Sequence, residues 1–252
     1  MKTLVVLPTY NESLNVVAML EALRRYVPVA EILVVDDGSP DGTADLAQAA
    51  AERLGSVSIM RRDGKGGLGS AYRAGFAWGL EKGFDSLVEI DADFSHDPAA
   101  LPTLLEAAQR GADVVIGSRY TPGGSIPAWK WHRRLLSRGG NSYASMTLGL
   151  RVKDATAGYR VYRGESLKRM DYESVQADGY GFQIEMTYRA RRAGLTIQEV
   201  PISFVDRTLG ESKMSGTIVF EALWLCTRWG LDRALGKAWY PTTVASAGKI
   251  QR

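Results

Sequence analysis

Short runs of aliphatic and β-branched residues alternate with helical patterns over the first 117 positions of this 252-residue chain. Five of these runs predict buried strands: Thr3–Leu7, Ile32–Val35, Val57–Met60, Leu87–Ile90 and Val114–Ile116. Between the strands, apolar residues recur at i, i+3, i+4 and i+7, as in Val16, Met19, Leu20 and Leu23, which is the spacing of a helix with one buried face. Such βαβ alternation is typical of a mostly parallel sheet flanked by helices.

After Gly117 the pattern changes. A loop is predicted over 119–133, followed by a helix to about Leu148, strands at Arg160–Tyr162 and Thr196–Phe204, and a helix at Phe182–Ala193 between those strands. A polar loop at 205–216 precedes an amphipathic helix at 217–235. We therefore predict one α/β catalytic domain over residues 1–216, an amphipathic C-terminal region at 217–240, and a disordered tail at 241–252.

Composition narrows the functional classes. Hydrophobic residues make up 45% and charged residues 23% of the chain, values typical of a globular protein. A net charge of +3 is too small to indicate nucleic-acid binding. The single cysteine excludes an internal disulfide and favours a cytoplasmic setting. No apolar run reaches the ~18–20 residues of a membrane span, so a soluble or peripheral protein is expected.

The sharpest local motif is Asp91-Ala92-Asp93, directly after the fourth predicted strand. Ligands of an open parallel sheet bind beyond the carboxyl ends of its strands. Two carboxylates at i and i+2 in that position suit Mg²⁺ or Mn²⁺ together with the phosphates of a donor. The alternative is two solvated turn residues that cap the helix beginning near Pro98.

Two further polar groups follow strands, at residues 8–12 (PTYNE) and 36–39 (DDGS). One such group is explained by a turn and a helix cap. Three groups in register on neighbouring strands indicate a shared binding edge where a nucleotide lies.

Taken together, these three motifs resemble those of family 2 glycosyltransferases with the GT-A fold. The segments at 64–72, 94–98, 117–120, 181–186 and 206–213 resemble, more narrowly, the polyprenyl-phosphate (dolichyl-phosphate) mannose synthases. The resemblance covers about residues 3–216. It implies an inverting transfer of mannose from GDP-mannose to a polyprenyl phosphate. A glucosyl- or other hexosyltransferase that uses a UDP-sugar is the nearest alternative.

The resemblance also implies roles for individual residues. The nucleoside pocket would be lined by Pro8, Tyr10, Glu12, Val35 and Asp37, with Asp37 accepting hydrogen bonds from the base. Asp91 and Ala92 would contact ribose and phosphate, and Asp93 would be the main metal ligand. Relatives with a further metal contact have Gln where this chain has Ser95. The phosphate-handling cations would be Arg119, Arg133, Arg207 and Lys213.

Two other functional classes remain open at this point, one enzymatic and one non-enzymatic. A nucleotidyltransferase also uses Asp-x-Asp and metal but releases pyrophosphate, and a nucleotide-binding scaffold would bind a donor without turnover. His96 is either a contact near the metal motif or a turn residue. Glu185 either faces the acceptor or orders a cation.

An aromatic and basic cluster indicates contact with a membrane surface. It comprises Trp129, Lys130, Trp131, Arg133 and Arg134, residue types that suit a headgroup region. The last helix either adds to this surface or packs on the core. We expect peripheral attachment to the cytoplasmic face of a membrane, by the chain alone or through a membrane-anchoring partner protein.

Overall fold

The computed structural model describes residues 1–207 and 216–236. Its strands are β1 (Thr3–Thr9), β2 (Glu31–Asp36), β3 (Val57–Arg61), β4 (Ser86–Glu89), β5 (Val114–Ser118), β6 (Arg160–Arg163) and β7 (Ile197–Pro201). Its helices are α1 (Val16–Tyr26), α2 (Thr43–Leu54), α3 (Leu68–Glu81), α4 (Leu101–Gln109), α5 (Trp131–Leu148), α6 (Gly164–Arg169), α7 (Gly179–Arg192) and α8 (Gly216–Ala234). Short 3-10 turns lie at Pro98–Ala100 and Tyr172–Ser174.

The strands form one seven-stranded sheet in the order β3-β2-β1-β4-β6-β5-β7. All neighbouring pairs are parallel except those made by β6, which runs antiparallel to both β4 and β5. The predicted mostly parallel sheet with flanking helices is confirmed. The predicted last strand is too long, because β7 ends at Pro201 and only the bridges at Ser203 and Phe204 continue the pairing.

Both faces of the sheet are covered. Along β1, Val5 and Leu7 face one apolar cluster while Leu4 and Val6 face the other, and all four are fully buried. This is the pattern of a parallel strand packed between two helical layers. On one side α3 lies very close to β1, since a Cβ added at Gly75 would clash with the Val6 side chain.

The last helix packs on the protein and also leaves apolar side chains exposed. Cys226 and Trp229 of α8 are buried, and the Trp229 ring stacks on Tyr188 at 6.5 Å. Trp224 and Leu231 are more than half exposed. No helix in the described ranges is long and apolar enough to cross a bilayer. The predicted tail at 241–252 lies outside the described residues.

Candidate functional site

Three polar groups meet at one edge of the sheet, as predicted. β1 lies between β2 and β4, so the segments that follow these strands are neighbours. The Asp37 amide donates to the Thr9 carbonyl at 3.0 Å, which joins the first two segments directly. Of the predicted lining residues, Val35 and Ala92 are buried and Pro8 is half-buried.

The two acids at the end of β2 make different contacts in the structure. Asp36 is buried and accepts hydrogen bonds from the Thr9 hydroxyl at 2.9 Å and from the amide and hydroxyl of Ser39 at 2.9 and 2.6 Å. These contacts fix the turn. Asp37 instead accepts from the Arg62 guanidinium at 2.6 Å and from the Gly66 amide at 3.0 Å. Its contact with a nucleobase stays a prediction.

Arg62 is a site residue that the sequence motifs did not single out. It follows β3, the strand next to β2, and so reaches the same edge of the sheet. Nearby, the Lys65 ammonium lies 4.8 Å from the centre of the Tyr10 ring. Both cations come from the loop between β3 and α3, which therefore closes one side of the predicted nucleoside pocket.

The two carboxylate oxygens of Asp91 have different neighbours. The Tyr72 hydroxyl donates to Asp91 Oδ1 at 3.3 Å, while Asp91 Oδ2 lies 3.7 Å from His96 Nδ1. Burial, and secondarily the negative charge of Asp93, raise the pKa of Asp91 to about 7. The ionised form of Asp91 is therefore disfavoured, first by burial and then by the neighbouring carboxylate.

Asp93 is buried and is engaged at both oxygens. Its Oδ1 accepts from the Ser95 amide at 2.9 Å, and its Oδ2 lies 2.7 Å from Arg207 Nη2. Arg207 Nη1 is also 3.9 Å from Glu12 Oε1, so one guanidinium links the motifs after β1 and β4. Ser95, which stands where some relatives have a metal-contacting Gln, contributes its backbone amide to the turn.

His96 is buried between aromatic rings. The centres of the Tyr159 and Phe204 rings lie 5.3 and 5.2 Å from the imidazole. Burial lowers the pKa of His96 to about 4, so the ring is neutral at pH 7. Its position beside Asp91 answers the open alternative, because it borders the carboxylate pair rather than only stabilising a turn.

Arg119 is committed to an internal ion pair. Its Nε and Nη2 donate to the two oxygens of Asp154 at 2.8 and 2.6 Å, and both side chains are almost fully buried. Thr156 accepts a further bond at 2.8 Å. The predicted phosphate contact of Arg119 is untested, and Asp154 already offsets its charge. Asp154 was missed because it lies in a long connection without strand or helix pattern.

Arg133 and Trp129 form one cluster with Asp206. Arg133 Nη1 donates to Asp206 at 2.8 Å, the Trp129 indole donates to it at 2.9 Å, and the guanidinium lies 3.9 Å from the indole ring. Trp129 is buried, so its predicted place on a membrane surface is wrong. Trp129 is kept inside the fold by its hydrogen bond to Asp206, a residue far along the sequence.

Glu185 orders a cation and a backbone turn. Glu185 Oε1 accepts from Arg189 Nε and Nη2 at 2.9 and 2.8 Å, and the Ala177 amide donates to Oε2 at 3.2 Å. The alternative that it faces the acceptor is not supported by these contacts. Lys213 lies outside the described residues.

The chain is a glycosyltransferase and belongs to glycosyl transferase family 2, whose sequence profile matches residues 4–171. It is 53% identical to the undecaprenyl-phosphate mannosyltransferase of Micrococcus luteus, over 92% of this chain and 95% of that protein. It is 49% identical to the polyprenol monophosphomannose synthase of Mycolicibacterium smegmatis, over 93% and 91% of the two chains.

A solved structure also shares the fold. Glucosyl-3-phosphoglycerate synthase from Mycobacterium tuberculosis, in complex with Mn²⁺, uridine diphosphate and glucosyl-3-phosphoglycerate, matches with a TM-score of 0.63. The match covers 94% of this chain and 81% of that one at 22% identity. At this identity the likeness concerns the fold alone, and the predicted GT-A architecture is confirmed.

Proposed function

We propose that the protein moves mannose from GDP-mannose to the phosphate of a polyprenyl or dolichyl lipid and releases GDP. The two bacterial relatives support this reaction, because each is named for mannosyl transfer to a polyprenyl carrier and matches more than nine-tenths of this chain. The structural observation that carries the proposal is the carboxylate pair Asp91 and Asp93 after β4, with Arg207 2.7 Å from Asp93.

Asp91 and Asp93 fit a divalent cation, either Mg²⁺ or Mn²⁺. Their oxygens are hard ligands, and burial beside Asp93 raises the pKa of Asp91 to about 7, a penalty on the ionised form that a cation would offset. In the described part of the chain no three His, Cys, Asp or Glu side chains are grouped to hold a metal. Donor phosphate oxygens and water would therefore complete the coordination. The bound ion would neutralise charge on the leaving diphosphate.

The acceptor phosphate is the nucleophile in this proposal. A phosphate monoester has a second pKa of about 6, so it is largely dianionic at neutral pH and needs no protein base. Its oxygen attacks the anomeric carbon as the bond to the diphosphate breaks. In-line displacement gives a β-linked product from an α-linked donor. The protein residues position the two substrates and stabilise the departing charge.

Four cations would offset the repulsion between the two phosphate groups: Arg119, Arg133, Arg207 and Lys213. Arg207 is suited to the donor because it already lies against Asp93. Arg133 is bonded to Asp206, the residue before Arg207, so α5 and the loop are linked at the site. Arg119 contributes less than an unpaired guanidinium, because Asp154 shares its charge.

A lipid acceptor requires that the site lie near a membrane. α5 and α8 are joined by a hydrogen bond between the Tyr143 and Thr227 hydroxyls at 2.7 Å. Together these helices expose large apolar side chains, which we call the α5–α8 apolar surface: Trp131, Leu135, Leu136, Trp224 and Leu231. Exposed Lys130, Arg134 and Arg138 flank its N-terminal part and suit anionic headgroups.

We propose that the α5–α8 apolar surface rests on the cytoplasmic face of a membrane, alone or with a membrane-anchoring partner protein. Replacing Trp131 and Leu135 by Ser should reduce cosedimentation with anionic vesicles and raise the KM for lipid acceptor. Val29→Ser is the matched control, because Val29 is 96% exposed in the turn between α1 and β2. Equal vesicle binding by both variants would contradict this placement.

The decisive experiment supplies the purified protein with GDP-mannose, a short polyprenyl phosphate and Mg²⁺ or Mn²⁺. We expect lipid-linked mannose and GDP in equal amounts, with the anomeric configuration of the product read by NMR. UDP-glucose added in competition tests the choice of donor. Release of pyrophosphate, retention of configuration, or preferential transfer from UDP-glucose would each contradict a specific part of the proposal.

A further inference from the structure

Asn141 is a buried polar residue in the middle of α5 that the proposed mechanism does not use. Asparagine is a poor helix former, because its side chain competes with the backbone for hydrogen bonds. Here both ends of its amide are engaged. Oδ1 accepts from the Thr156 backbone amide at 3.1 Å, and Nδ2 donates to the Ser137 carbonyl at 3.0 Å and to the Thr156 hydroxyl at 3.1 Å. Since a backbone N–H can only donate, these contacts fix the orientation of the amide.

The Thr156 hydroxyl joins Asn141 to the ion pair of Arg119 and Asp154. It accepts from Asn141 Nδ2 at 3.1 Å and from Arg119 Nη2 at 2.8 Å, and it donates to Asp154 Oδ1 at 3.4 Å. A hydroxyl offers one donor and two acceptor sites, so all three are used. Rotation of the hydroxyl or of the amide would leave a polar group of this network without its partner, which is unfavourable. The contacts from α5 to the guanidinium are therefore held in one arrangement.

The other side of the ion pair is held by the sheet. Glu199 of β7 accepts from the Asp154 backbone amide at 3.0 Å, and the Arg119 backbone amide donates to Asp154 Oδ2 at 2.9 Å. Arg119 itself follows β5, which is the neighbour of β7 in the sheet. Strands thus set the position of Asp154, whereas a helix sets the position of the Thr156 hydroxyl. Asn141 is the residue through which α5 makes that contribution.

Two rings, Phe204 and His96, link the Arg119 guanidinium to the carboxylate pair. The guanidinium lies 5.5 Å from the centre of the Phe204 ring, and the same ring lies 5.2 Å from the centre of His96. His96 Nδ1 is in turn 3.7 Å from Asp91 Oδ2. Arg119 Nη1 has no hydrogen bond to the described part of the chain, since Nε and Nη2 make all the side-chain bonds. Arg119 therefore borders the same site as Asp91 with one donor group left for a ligand.

We infer that Asn141, acting through Thr156, is a positioning residue that holds Arg119 toward the phosphate of the lipid acceptor. The inference rests on the proposed function, which gives Arg119 a phosphate charge to offset and places α5 at a membrane. The acceptor phosphate is favoured over the donor, because Arg207 already lies against Asp93 while Arg119 is bonded to α5. Helix α5 thus rests on the lipid surface and also fixes a cation of the site.

Thr156→Val tests the inference, because valine keeps the shape of threonine and removes its hydroxyl. We expect the Kd for a short polyprenyl phosphate, measured by calorimetry, to rise about tenfold, since a hydrogen bond to a charged group has about that value. The kcat/KM for this acceptor should fall in parallel, while the KM for GDP-mannose stays unchanged. Thr156→Ser restores the hydroxyl and should recover the wild-type values. Ser142→Ala is the matched control, because Ser142 is exposed on the same helix.

Asn141→Ala interrupts the same connection one step further from the site, and should weaken acceptor binding in the same direction. The double variant should bind no more weakly than Thr156→Val alone, because residues in one network do not act independently. The Kd for the unphosphorylated polyprenol should be unchanged in each variant, because this lipid carries no charge for Arg119 to offset.

Three results would overturn the inference: an unchanged Kd for polyprenyl phosphate in Thr156→Val, an equal loss of affinity for polyprenol, and additive losses in the double variant. A purely structural role of Asn141 would lower the midpoint of urea unfolding and leave acceptor affinity unchanged.

Failure of the proposed function is read from the wild-type protein. If the wild type binds polyprenyl phosphate but forms no lipid-linked mannose, the transfer reaction is wrong while the ratio of the Kd values still decides the role of Asn141. A wild type that does not bind polyprenyl phosphate would contradict both.

Discussion

Arg207 Nη2 lies 2.7 Å from Asp93 Oδ2, so the carboxylate proposed as the main metal ligand already has a cationic partner. A guanidinium and a divalent cation compete for the same oxygen, since both are attracted by its charge. If Asp93 holds a divalent cation as proposed, binding of that cation would displace Arg207 from Asp93. The released guanidinium would then be available to the donor phosphates.

Removal of this competitor should strengthen metal binding in the absence of donor. We expect Arg207→Gln to lower the Kd for Mn²⁺ about tenfold, because a hydrogen bond to a charged group is worth roughly 1.5–3 kcal/mol. Turnover should fall in the same variant. Electron paramagnetic resonance of free Mn²⁺ measures the affinity, with Arg53→Gln, from an exposed ion pair with Glu21, as control. Weaker Mn²⁺ binding by Arg207→Gln would contradict the competition.

Asp93→Asn should abolish turnover while the fold is kept. Loss of one charge-stabilising group at a reaction centre typically costs about 10²–10³ in rate. Asp45→Asn is the control, since Asp45 is exposed and pairs only at the surface with Arg61. Chelation of the metal should have the same effect and be reversed by added Mg²⁺ or Mn²⁺. Full turnover under both treatments would refute the metal-dependent mechanism.

Asp154→Asn should destabilise the fold strongly. The change leaves the Arg119 guanidinium buried without its counter-ion, and breaking one partner of a buried pair costs about 3–5 kcal/mol. Urea unfolding measures the loss. Glu21→Gln, which breaks an exposed pair with Arg53, should cost no more than about 1 kcal/mol. Similar losses in the two variants would mean that the Arg119–Asp154 pair is solvated.

The thiol of Cys226 reports whether α8 stays packed on the domain. Burial raises the pKa of Cys226 to about 11, so the reactive thiolate is scarce at pH 8 in the folded protein. An unfolded cysteine has a pKa of about 8.5, and folding should therefore slow alkylation about 10²-fold. Mass spectrometry of iodoacetamide-treated protein, with and without urea, measures the ratio. Equal rates would mean that α8 separates from the core.

Much of the fold could be predicted because each helix and strand of its first half is specified by residues that are close together in the sequence. The strands before β5 and the helices between them show a clear period, and Val16, Met19, Leu20 and Leu23, which were predicted to share one helix face, are the buried residues of α1. The meeting of the three polar motifs followed from the rule that parallel strands end on the same edge. Arg62 obeys the same rule and could have been found by extending it to β3.

The features that could not be predicted depend on contacts between distant parts of the chain. The insertion of β6 between β4 and β5 pairs it with strands about seventy and about forty-five residues earlier, and no local pattern specifies an antiparallel neighbour there. The short helix α6 was missed because its six residues are fewer than two helical turns. Trp129 looked like a surface residue because its partner Asp206 could not be recognised without the fold.

The reversed strand β6 divides the sheet into two parallel blocks, one of β1 to β4 and one of β5 with β7. The acids Asp37 and Asp91 follow strands of the first block, whereas Arg119 and the segment leading to Arg207 follow strands of the second. β6 is the strand that joins the two blocks, so the acids and the cations of the site are anchored in different parts of one sheet. The ion pair between Asp93 and Arg207 spans the two blocks, and any shift of one block against the other would change its length.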